Sequence, residues 1–481
     1  MFGIHASFHV LGWVVLLVGS MLLIPTAADL AYGSNDWIGF ARTAVIAGFM
    51  GVLIILSTLA SRPQKLNFRQ AFLIIAIGWV LVALIGAIPF LAVGISFSDA
   101  MFETMSGITT TGSTVLTNLD TLSPGILLWR AILQWIGGIG VIAIAVLILP
   151  FLRIGGMQLF KIESSGTDAD NMGSTMRTAL LLGGIYTVLT MACALVYFLL
   201  GMSGFDALTH AMSTLSTGGF STHDASFSFF KEPSLHWAAI FFMICGALPF
   251  ILYVKMTMGN LRALFVDQQV RAFVLFLAFS SIALAFWLMA HQDIGLFEAI
   301  TLTSFNITSV VTTTGFASAD YTAWGPGAVG AFLVLMFIGG CSGSTSGAVK
   351  IYRYQVLVIF VRAHLKRLFS PNRSIPLKYN GQILPVEVPM SVLAFLSVFV
   401  ATIAFFTVLL SMMGLDIVTA YSASVTAITN VGPGMGTIIG PAGNFQALPE
   451  PAIWALIVAM LAGRLEILTL LVMFDRDFWR L

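Results

Sequence analysis

The stretch Thr109-Thr110-Thr111-Gly112-Ser113-Thr114 recurs in altered form three more times, at roughly hundred-residue intervals between long hydrophobic segments. The other copies are Ser216-Thr217-Gly218-Gly219-Phe220-Ser221, Thr312-Thr313-Thr314-Gly315-Phe316-Ala317 and Thr429-Asn430-Val431-Gly432-Pro433-Gly434. In each copy a short run of hydroxyl or amide side chains meets a glycine. Four similar copies in one chain predict four similar units arranged with pseudo-fourfold symmetry around one axis.

The composition predicts a membrane protein before any motif is considered. Hydrophobic residues make up 58% of the 481 residues, charged residues make up 9%, and the mean hydropathy is +0.97. A chain with so few polar residues cannot cover a soluble globule. The net charge of +1 says little by itself. We expect a lipid membrane and no nucleic acid as the surroundings of this chain.

Ten apolar runs in the sequence are long enough to cross the roughly 30 Å of a bilayer core. They cover approximately residues 10–32, 38–60, 71–95, 126–151, 178–202, 235–258, 272–292, 325–363, 388–413 and 451–474. Lys and Arg concentrate in the connections after alternate runs, among them Arg62, Lys65, Arg69, Arg153 and Lys161. Because basic residues near span ends favour the cytoplasmic side, both termini are predicted to be cytoplasmic.

Each of the four stretches follows a moderately apolar segment that is too short to span a membrane. These segments are Ser98 to Thr110, Phe205 to Thr217, Leu296 to Thr313 and Asp416 to Asn430. One such segment alone would favour a surface helix in an extracellular loop. Four copies at matching positions instead favour re-entrant helices that enter from the outer face, each followed by extended backbone.

The fold class predicted from these patterns is an all-α polytopic membrane protein with about ten transmembrane helices and four re-entrant pore helices. Four pseudo-fourfold helix–pore loop–helix repeats would surround one ion pore. The predicted boundaries are 1–65 for an N-terminal transmembrane hairpin, then 66–165, 166–265, 266–380 and 381–481 for the first to fourth repeats.

Glycine is needed in each stretch for a backbone reason. Carbonyl oxygens can be aimed at one axis only if the chain passes through positive φ, which glycine adopts without a Cβ penalty. Aligning Phe220 with Phe316 makes Gly219, and not Gly218, the partner of Gly112, Gly315 and Gly432. Carbonyl and hydroxyl oxygens suit an alkali cation. The predicted cation ligands are Thr110, Thr111, Gly112, Thr217, Gly218, Gly219, Thr313, Thr314, Gly315, Asn430, Val431 and Gly432.

Residues 339–347 interrupt the apolar run 325–363 with glycines and hydroxyls. Such a segment neither favours helix nor tolerates lipid, so it must face a water-filled cavity or be buried in protein. A kink that only relieves helix packing is the alternative.

Arg464 lies about fourteen residues into the last apolar run, near the bilayer midplane. An arginine at that depth is costly unless it faces a cavity or a partner. We favour its projection into the permeation path, and a structural pairing with another span is the alternative. Glu466 would lie about 200° away around a continuous helix, so a same-face pair with Arg464 is not expected.

Several acidic residues and one histidine fall in the re-entrant segments, toward the outer face. They are Asp99, Glu103, Asp206, His210 and Glu298. Their charges would draw cations to the vestibule. Helix N-terminal capping explains Asp99 and Asp206 equally well.

The four stretches resemble the Trk/Ktr/HKT superfamily of potassium transporters, most closely its TrkH/TrkG branch. The resemblance extends to Gly339-Gly340-Cys341-Ser342-Gly343-Ser344-Thr345-Ser346-Gly347, Gln134-Trp135-Ile136-Gly137-Gly138 and Gly463-Arg464-Leu465-Glu466. It implies potassium uptake across the bacterial inner membrane, one ion path per subunit and a homodimer. It also implies a cytosolic TrkA-type ring that senses NAD(H) or ATP/ADP, with no organic cofactor on this chain.

The resemblance further implies that residues 339–347 form an intramembrane gating loop. The gating residues are then Gly339, Gly340, Gly343, Ser344, Thr345, Gly347 and Arg464. Gly112 stands where a serine accompanies sodium passage in the Ktr and HKT branches, so K⁺ is the transported ion that the resemblance favours.

The sequence leaves two other kinds of transporter as alternatives, and it disfavours an enzyme. The transporters are an H⁺- or Na⁺-coupled cation symporter and a secondary carrier for another small solute. A carrier would predict inverted repeats, whereas these repeats share one orientation. An intramembrane enzyme is not expected, because the apolar runs carry no paired His/Glu, Ser/Lys or Asp/Asp arrangement.

Overall fold

The computed structural model describes residues 4–59, 68–144, 172–372, 374–385 and 387–479. The basic residues Arg62, Lys65, Arg153 and Lys161 lie outside these described residues. The described part is mostly helical. Its helices are α1 (Ile4–Met21), α2 (Leu23–Tyr32), α3 (Trp37–Ser57), α4 (Phe68–Ala92), α5 (Phe97–Ile108), α6 (Pro124–Ala143), α7 (Met172–Leu199), α8 (Gly204–Leu215), α9 (Pro233–Ala247), α10 (Phe250–Thr257), α11 (Ala263–Val266), α12 (Gln268–His291), α13 (Leu296–Val311), α14 (Pro326–Leu335), α15 (Ile351–Phe369), α16 (Glu387–Met412), α17 (Ile417–Thr429), α18 (Glu450–Arg464), α19 (Ile467–Val472) and α20 (Arg476–Trp479).

The described residues also contain two very short strand pairs and three 3-10 helices, at Leu119–Thr121, Ser226–Phe229 and Tyr321–Trp324. Strands β1 (Ile338–Gly339) and β2 (Val349–Lys350) run parallel, with Ile338 opposite Val349. Strands β3 (Lys378–Tyr379) and β4 (Gln382–Ile383) form an antiparallel turn in the connection between α15 and α16.

Seven helices of the described chain are long and apolar enough to cross a membrane, or eight if the bent pair α9 and α10 is one span. The sequence predicted about ten spans. The pair α9 and α10 meets at 89°, at Leu248 and Pro249, and the run 451–474 is interrupted after Arg464. Neither of these two breaks was predicted. The run 325–363 is interrupted by β1, a loop and β2, at the glycine- and hydroxyl-rich residues 339–347 where the sequence predicted an interruption.

Exposed apolar side chains identify the surface that faces lipid. Val45, Leu180, Leu275, Phe279 and Phe405 are each more than 60% exposed, although all lie on long helices. A soluble protein rarely exposes so large an apolar belt. The chain is a multi-pass membrane protein.

The leading helices pack closely on each other and on the rest of the chain. A Cβ at Gly51 of α3 would lie 2.8 Å from the backbone nitrogen of Leu16 in α1, so only glycine permits this approach. Asp29 of α2 is fully buried and accepts a hydrogen bond of 2.6 Å from the backbone N–H of Gly125, in the first turn of α6. The carboxylate satisfies an N–H group that the helix itself leaves unpaired.

The short helices α5, α8, α13 and α17 lie in the interior. In α5 every residue from Ala100 to Ile108 is buried, and in α17 every residue from Ser422 to Thr429 is buried. These are the segments that the sequence marked as too short to span. Their C-terminal ends lead directly into the four Thr/Gly stretches.

Candidate functional site

Three of the four short helices begin with a side-chain cap, whereas α13 begins after Gly295 without one. Ser96 and Ser203 precede α5 and α8, and their hydroxyls accept hydrogen bonds from the N–H groups of Asp99 and Asp206. Each aspartate accepts a hydrogen bond of 2.7 Å from its serine in return. Asp416 caps α17 in the same way through two backbone N–H groups. Capping is therefore a role that the structure gives to Asp99 and Asp206.

The four helices also end alike. The residue that follows each helix by one or two positions has a left-handed backbone, with φ between 50° and 58°; these are Thr110, Thr217, Thr313 and Asn430. Two residues later a glycine again has positive φ, between 79° and 108°; these are Gly112, Gly219, Gly315 and Gly432. The backbone thus gives Gly219, and not Gly218, the conformation of the other three glycines.

These glycines bring the four stretches into one closed ring. A Cβ built on Gly112 would overlap the carbonyl oxygen of Gly218, and one on Gly219 would overlap that of Thr314. A Cβ on Gly315 would overlap the carbonyl oxygen of Val431. The circle closes because a Cβ on Gly432 would lie 2.7 Å from the carbonyl oxygen of Thr111. Each stretch therefore touches the next one in chain order, and the fourth touches the first.

Most hydroxyls of the ring are already engaged within the protein. Thr111 and Thr314 hydrogen bond to the hydroxyls of Thr109 and Thr312, at 2.7 and 2.8 Å. The Thr313 hydroxyl accepts a bond of 2.6 Å from the N–H of Gly347. Backbone carbonyls are consequently the larger supply of oxygens for a cation at this ring. No cluster of three His, Cys, Asp or Glu residues that could hold a metal exists among the described residues.

Glycines on the flanking helices allow close packing behind the ring. A Cβ at Gly137 of α6 would overlap the carbonyl oxygen of Ile108, and one at Gly463 of α18 would overlap that of Ile428. At Gly246 of α9 the Cβ would lie 2.8 Å from the Leu215 carbonyl oxygen. The same contact therefore occurs three times: a glycine of α6, α9 or α18 packs on the last turn of the short helix that precedes it, which is α5, α8 or α17.

Gln134 of α6 fixes the second quarter of the ring. Its amide nitrogen donates a hydrogen bond of 2.6 Å to the carbonyl oxygen of Gly218, and its amide oxygen accepts one of 3.1 Å from the N–H of Phe220. Gly219 lies between these two contacts. The side chain therefore spans the glycine on which the ring depends.

A buried ion pair joins the first quarter of the ring to the second. Arg130 Nε lies 2.7 Å from Glu103 Oε1, and both side chains are almost fully buried. Glu103 also accepts hydrogen bonds from the Thr114 hydroxyl and the Val115 N–H, at 3.0 and 3.1 Å. Arg130 Nη1 donates a bond of 2.8 Å to the carbonyl oxygen of Ser221. The expectation that Glu103 draws cations to the vestibule is wrong, because its carboxylate is buried and neutralised.

Sequence reasoning did not single out Arg130, although a signal was present. Arg130 lies near the beginning of the apolar run 126–151, and an arginine within such a run is costly unless it has a partner, as was argued for Arg464. Its partner, Glu103, lies on a different helix, so the pair cannot be read from spacing. Gln134 belonged to a motif that carried the family resemblance, but no role was predicted for it.

Asn430 gives the fourth quarter of the ring its own character. Its amide nitrogen donates hydrogen bonds to the Thr111 hydroxyl at 2.9 Å and to the carbonyl oxygen of Met460 at 3.0 Å. The Ser113 hydroxyl donates a bond of 2.7 Å to the Gly432 carbonyl oxygen. Side chains therefore join the fourth quarter to the first.

The loop 339–347 lies against the ends of three of the short helices. The Thr345 hydroxyl contacts the carbonyl oxygen of Leu215 at 3.1 Å, at the end of α8. The N–H of Gly347 donates to Thr313 beyond α13, and the N–H of Ala348 donates at 2.8 Å to the carbonyl oxygen of Thr429. The remaining predicted gating residues, Gly339, Gly340, Gly343 and Ser344, lie within the same loop, whose residues from Gly339 to Ser346 are all buried.

Arg464 reaches this loop from the end of α18. Its Nη2 donates a hydrogen bond of 2.9 Å to the carbonyl oxygen of Thr345. Its Nε and Nη1 are buried without a hydrogen-bond partner among the described residues. They adjoin a cavity of about 50 Å³ that is also lined by Gly347, Lys350 and Gly463.

Glu466 does not continue the helix of Arg464. Helix α18 ends at Arg464, and Glu466 has a φ of 58°, so the angle predicted from a continuous helix does not apply. Glu466 instead lies 2.6 Å from Arg353 Nη2 of α15. Glu466 is therefore the residue that forms an ion pair with another helix. Arg464 instead contacts the loop 339–347.

Charged side chains also meet near His223, in the connection between α8 and α9. His223 Nδ1 is hydrogen bonded to the carboxylate of Asp120. The other ring nitrogen, Nε2, lies 3.6 Å from Asp206 Oδ1. The imidazole stacks on Phe229 at 3.5 Å. His210 is fully buried and bonds to Ser221 at 3.0 Å, so its predicted role in the vestibule is not supported by its position.

Removal of the Glu103 carboxylate should destabilise the protein strongly, because Arg130 becomes an unpaired buried charge. We expect Glu103→Ala to lower the free energy of unfolding by about 3 kcal/mol or more. Asp99→Ala removes a carboxylate from a less buried position on the same helix and should cost about 1 kcal/mol. Thermal unfolding in detergent compares the two variants. Equal losses would contradict the role given to the ion pair.

The His223 cluster predicts a pH dependence of stability. Partial burial by itself lowers the pKa of His223, but Asp206 and Asp120 outweigh it and raise that pKa above its ordinary value of 6.5. The hydrogen bond to His223 lowers the pKa of Asp120. A raised histidine pKa means that the stabilisation is complete below pH 6.5 and is lost as the pH rises through the folded value.

We expect the wild type to lose about 1 kcal/mol or less between pH 6 and pH 9, since Asp120 is half exposed. His223→Gln should remove this slope, and His291→Gln, at an exposed site, should leave it unchanged. Unfolding measured across this pH range provides the comparison. A slope that survives in His223→Gln would assign the pH dependence to another group.

Comparison with known proteins places the whole chain in one family. The family model described as "TrkH: Cation transport protein" matches residues 41–480. The chain is 43% identical over 471 residues to the Trk system potassium uptake protein TrkI of Halomonas elongata, with 97% of this chain and 95% of that protein covered. It is 34% identical to the Trk system potassium uptake protein TrkH of Escherichia coli K12, with 99% of each covered.

A solved structure leads to the same result. The crystal structure of the potassium transporter TrkH from Vibrio parahaemolyticus matches with a TM-score of 0.92 and 33% identity, and the match covers 100% of both chains. The resemblance indicated by the four Thr/Gly stretches is confirmed. The chain belongs to the TrkH family of cation transport proteins, which is a family of transporters and not of enzymes.

Proposed function

We propose that this chain carries K⁺ into the cell through the ring formed by the four Thr/Gly stretches. The closed circle of glycine contacts, in which Gly112, Gly219, Gly315 and Gly432 each meet the next stretch, is the observation that carries the proposal. A ring of backbone oxygens in a membrane replaces the hydration shell of an alkali cation. The relatives are named as potassium uptake proteins, which supports K⁺ as the ion.

In this proposal the fold has four pore repeats around one ion path. The short helices α5, α8, α13 and α17 are the re-entrant pore helices. The three interrupted runs, α9 with α10, α14 with α15 and α18 with α19, each cross the membrane as a broken span. The repeats follow the boundaries 66–165, 166–265, 266–380 and 381–481, after a peripheral hairpin over 1–65. The left-handed ends of all four short helices and the side-chain caps of three of them support this division.

The loop 339–347 is the proposed gate of this path. It lies against the ends of α8, α13 and α17, next to the filter ring, and Arg464 holds it by a hydrogen bond to Thr345. The two unpaired nitrogens of Arg464 also place positive charge next to the small cavity. This charge disfavours a resident cation, so Arg464 restrains conduction both as a contact and as a charge.

The same proposal gives the chain an orientation and partners. The basic residues that follow alternate apolar runs, among them Lys255, Arg262 and Arg271, support an orientation with both termini in the cytoplasm of a bacterial inner membrane. The names of the relatives refer to a Trk system, which supports the presence of further components. In this proposal those components are a second copy of this chain, which forms a homodimer, and a cytosolic TrkA-type nucleotide-binding ring. That ring, and not this chain, would sense NAD(H) or ATP/ADP.

Flux measurements test the proposal directly. Liposomes that contain only this subunit should take up K⁺ and Rb⁺ faster than Na⁺. Uptake that persists without a pH or Na⁺ gradient indicates a channel, whereas uptake that requires one indicates a symporter. The absence of cation flux under every condition would disprove conduction by the isolated subunit.

Gly112→Ser tests the ring itself. The new side chain meets both a positive φ and the carbonyl oxygen of Gly218, so the ring must widen. We expect the ratio of Na⁺ to K⁺ flux to rise about fivefold, a loss of roughly 1 kcal/mol of discrimination. Gly94→Ser is the matched control, because Gly94 has φ of 88° with no atom near its Cβ position. An equal change in both variants would point to backbone strain alone.

Arg464→Ala tests the gate. Loss of the bond to Thr345 and of the charge beside the cavity should raise K⁺ flux several-fold in the absence of any partner. Arg464→Lys retains the charge and should give an intermediate flux. Arg362→Ala, at an exposed position on α15, should have no effect. Unchanged flux at unchanged expression would count against a gating role for Arg464.

A further inference from the structure

A positively charged groove opens on the side of the molecule opposite the ring. It has a volume of about 580 Å³ and lies between the end of α10, the short helix α11 and the start of α12. The turn between β3 and β4 closes one side through Asn380. Helix α12 begins at this groove and ends at His291, close to the start of α13. The groove is therefore separated from the outer end of the protein by the length of α12.

Three basic side chains line the groove, and its one lining carboxylate is already engaged. Lys255, Arg262 and Arg271 belong to none of the ion pairs within the described residues. Asp267 accepts hydrogen bonds from two backbone N–H groups at the start of α12, at 2.9 and 3.0 Å. Its second oxygen accepts a bond of 3.0 Å from Asn380. The groove keeps a surplus of positive charge.

Arg271 shapes the groove. Its Nε and Nη2 donate hydrogen bonds of 2.8 and 3.1 Å to the carbonyl oxygens of Phe265 and Val266. The guanidinium thereby holds the connection between α10 and α12 in place. Lys255 and Arg262 remain as donors for a bound anion.

The same connection exposes large apolar side chains. Met258, Leu261, Phe265 and Val266 are between 58% and 76% exposed, within a segment that joins two membrane helices. Apolar side chains beside Lys and Arg are the composition of a segment that lies in the membrane interface. The charges then meet the lipid headgroups, and the apolar side chains meet the upper part of the acyl chains.

We propose that this groove binds the phosphate headgroup of an anionic phospholipid from the leaflet opposite the ring. Lys255 and Arg262 contact the phosphate, and Phe265 and Leu261 contact the acyl chains. Binding joins α10, α11 and α12 through a ligand that is not part of the chain. The site does not depend on potassium conduction, because it rests on the membrane location alone.

Lipid binding to the purified full-length protein tests this site. Phosphatidylglycerol and phosphatidylcholine with identical acyl chains are titrated separately, and bound lipid is counted by native mass spectrometry. We expect the wild type to prefer phosphatidylglycerol. The double substitution Lys255→Gln with Arg262→Gln should weaken phosphatidylglycerol binding on the order of tenfold and leave phosphatidylcholine unchanged. Arg362→Gln with Lys366→Gln removes equal charge from α15, outside the groove, and should change neither.

A second variant separates a lipid from a soluble anion. Phe265→Ser should weaken the binding of phosphatidylglycerol. The concentration of inorganic phosphate that displaces the headgroup from Lys255 and Arg262 should stay unchanged. Equal phosphatidylglycerol binding by the wild type and the double variant would overturn the proposal. Inorganic phosphate that binds as tightly as the lipid would assign the groove to a soluble anion. Arg262→Gln alone, at an exposed residue, serves if the double variant does not fold.

Discussion

The close approach of four backbones at one point is the constraint on which the rest of this structure depends. At Gly112, Gly219, Gly315 and Gly432 even a single methyl group would occupy the place of a carbonyl oxygen from the next stretch. Backbones can meet so closely only if everything behind them is rigid. The buried short helices, the side-chain caps of three of them and the glycines of α6, α9 and α18 all serve to place these four points.

The supports behind the ring differ from one quarter to the next. An ion pair between Glu103 and Arg130 braces the first two quarters, an amide from Gln134 braces the second, and Asn430 joins the fourth to the first. A buried ion pair stabilises little by itself, because desolvation of both charges offsets their attraction. Its value here is geometric, since it holds Thr114 and Ser221 at fixed positions beside the ring.

Much of the fold could be predicted from the sequence, because apolar runs and short segments are local patterns. The short helices lie where their length and composition placed them, and the conformation of Gly219 agrees with an alignment made on Phe220. Partners on different helices could not be predicted. Nothing in the spacing shows that Glu103 faces Arg130, or that Glu466 faces Arg353. The break after Arg464 was also missed, because apolar composition continues across it.

The loop 339–347 is attached to three separate units at once. Thr345 and Gly347 bond to Leu215 and Thr313, and the next residue, Ala348, bonds to Thr429, so that each acceptor lies at or just beyond the end of a different short helix. Loss of any one of these contacts would leave a polar group in the protein interior without its partner. The segment thus crosslinks the ends of α8, α13 and α17, which are far apart in the sequence.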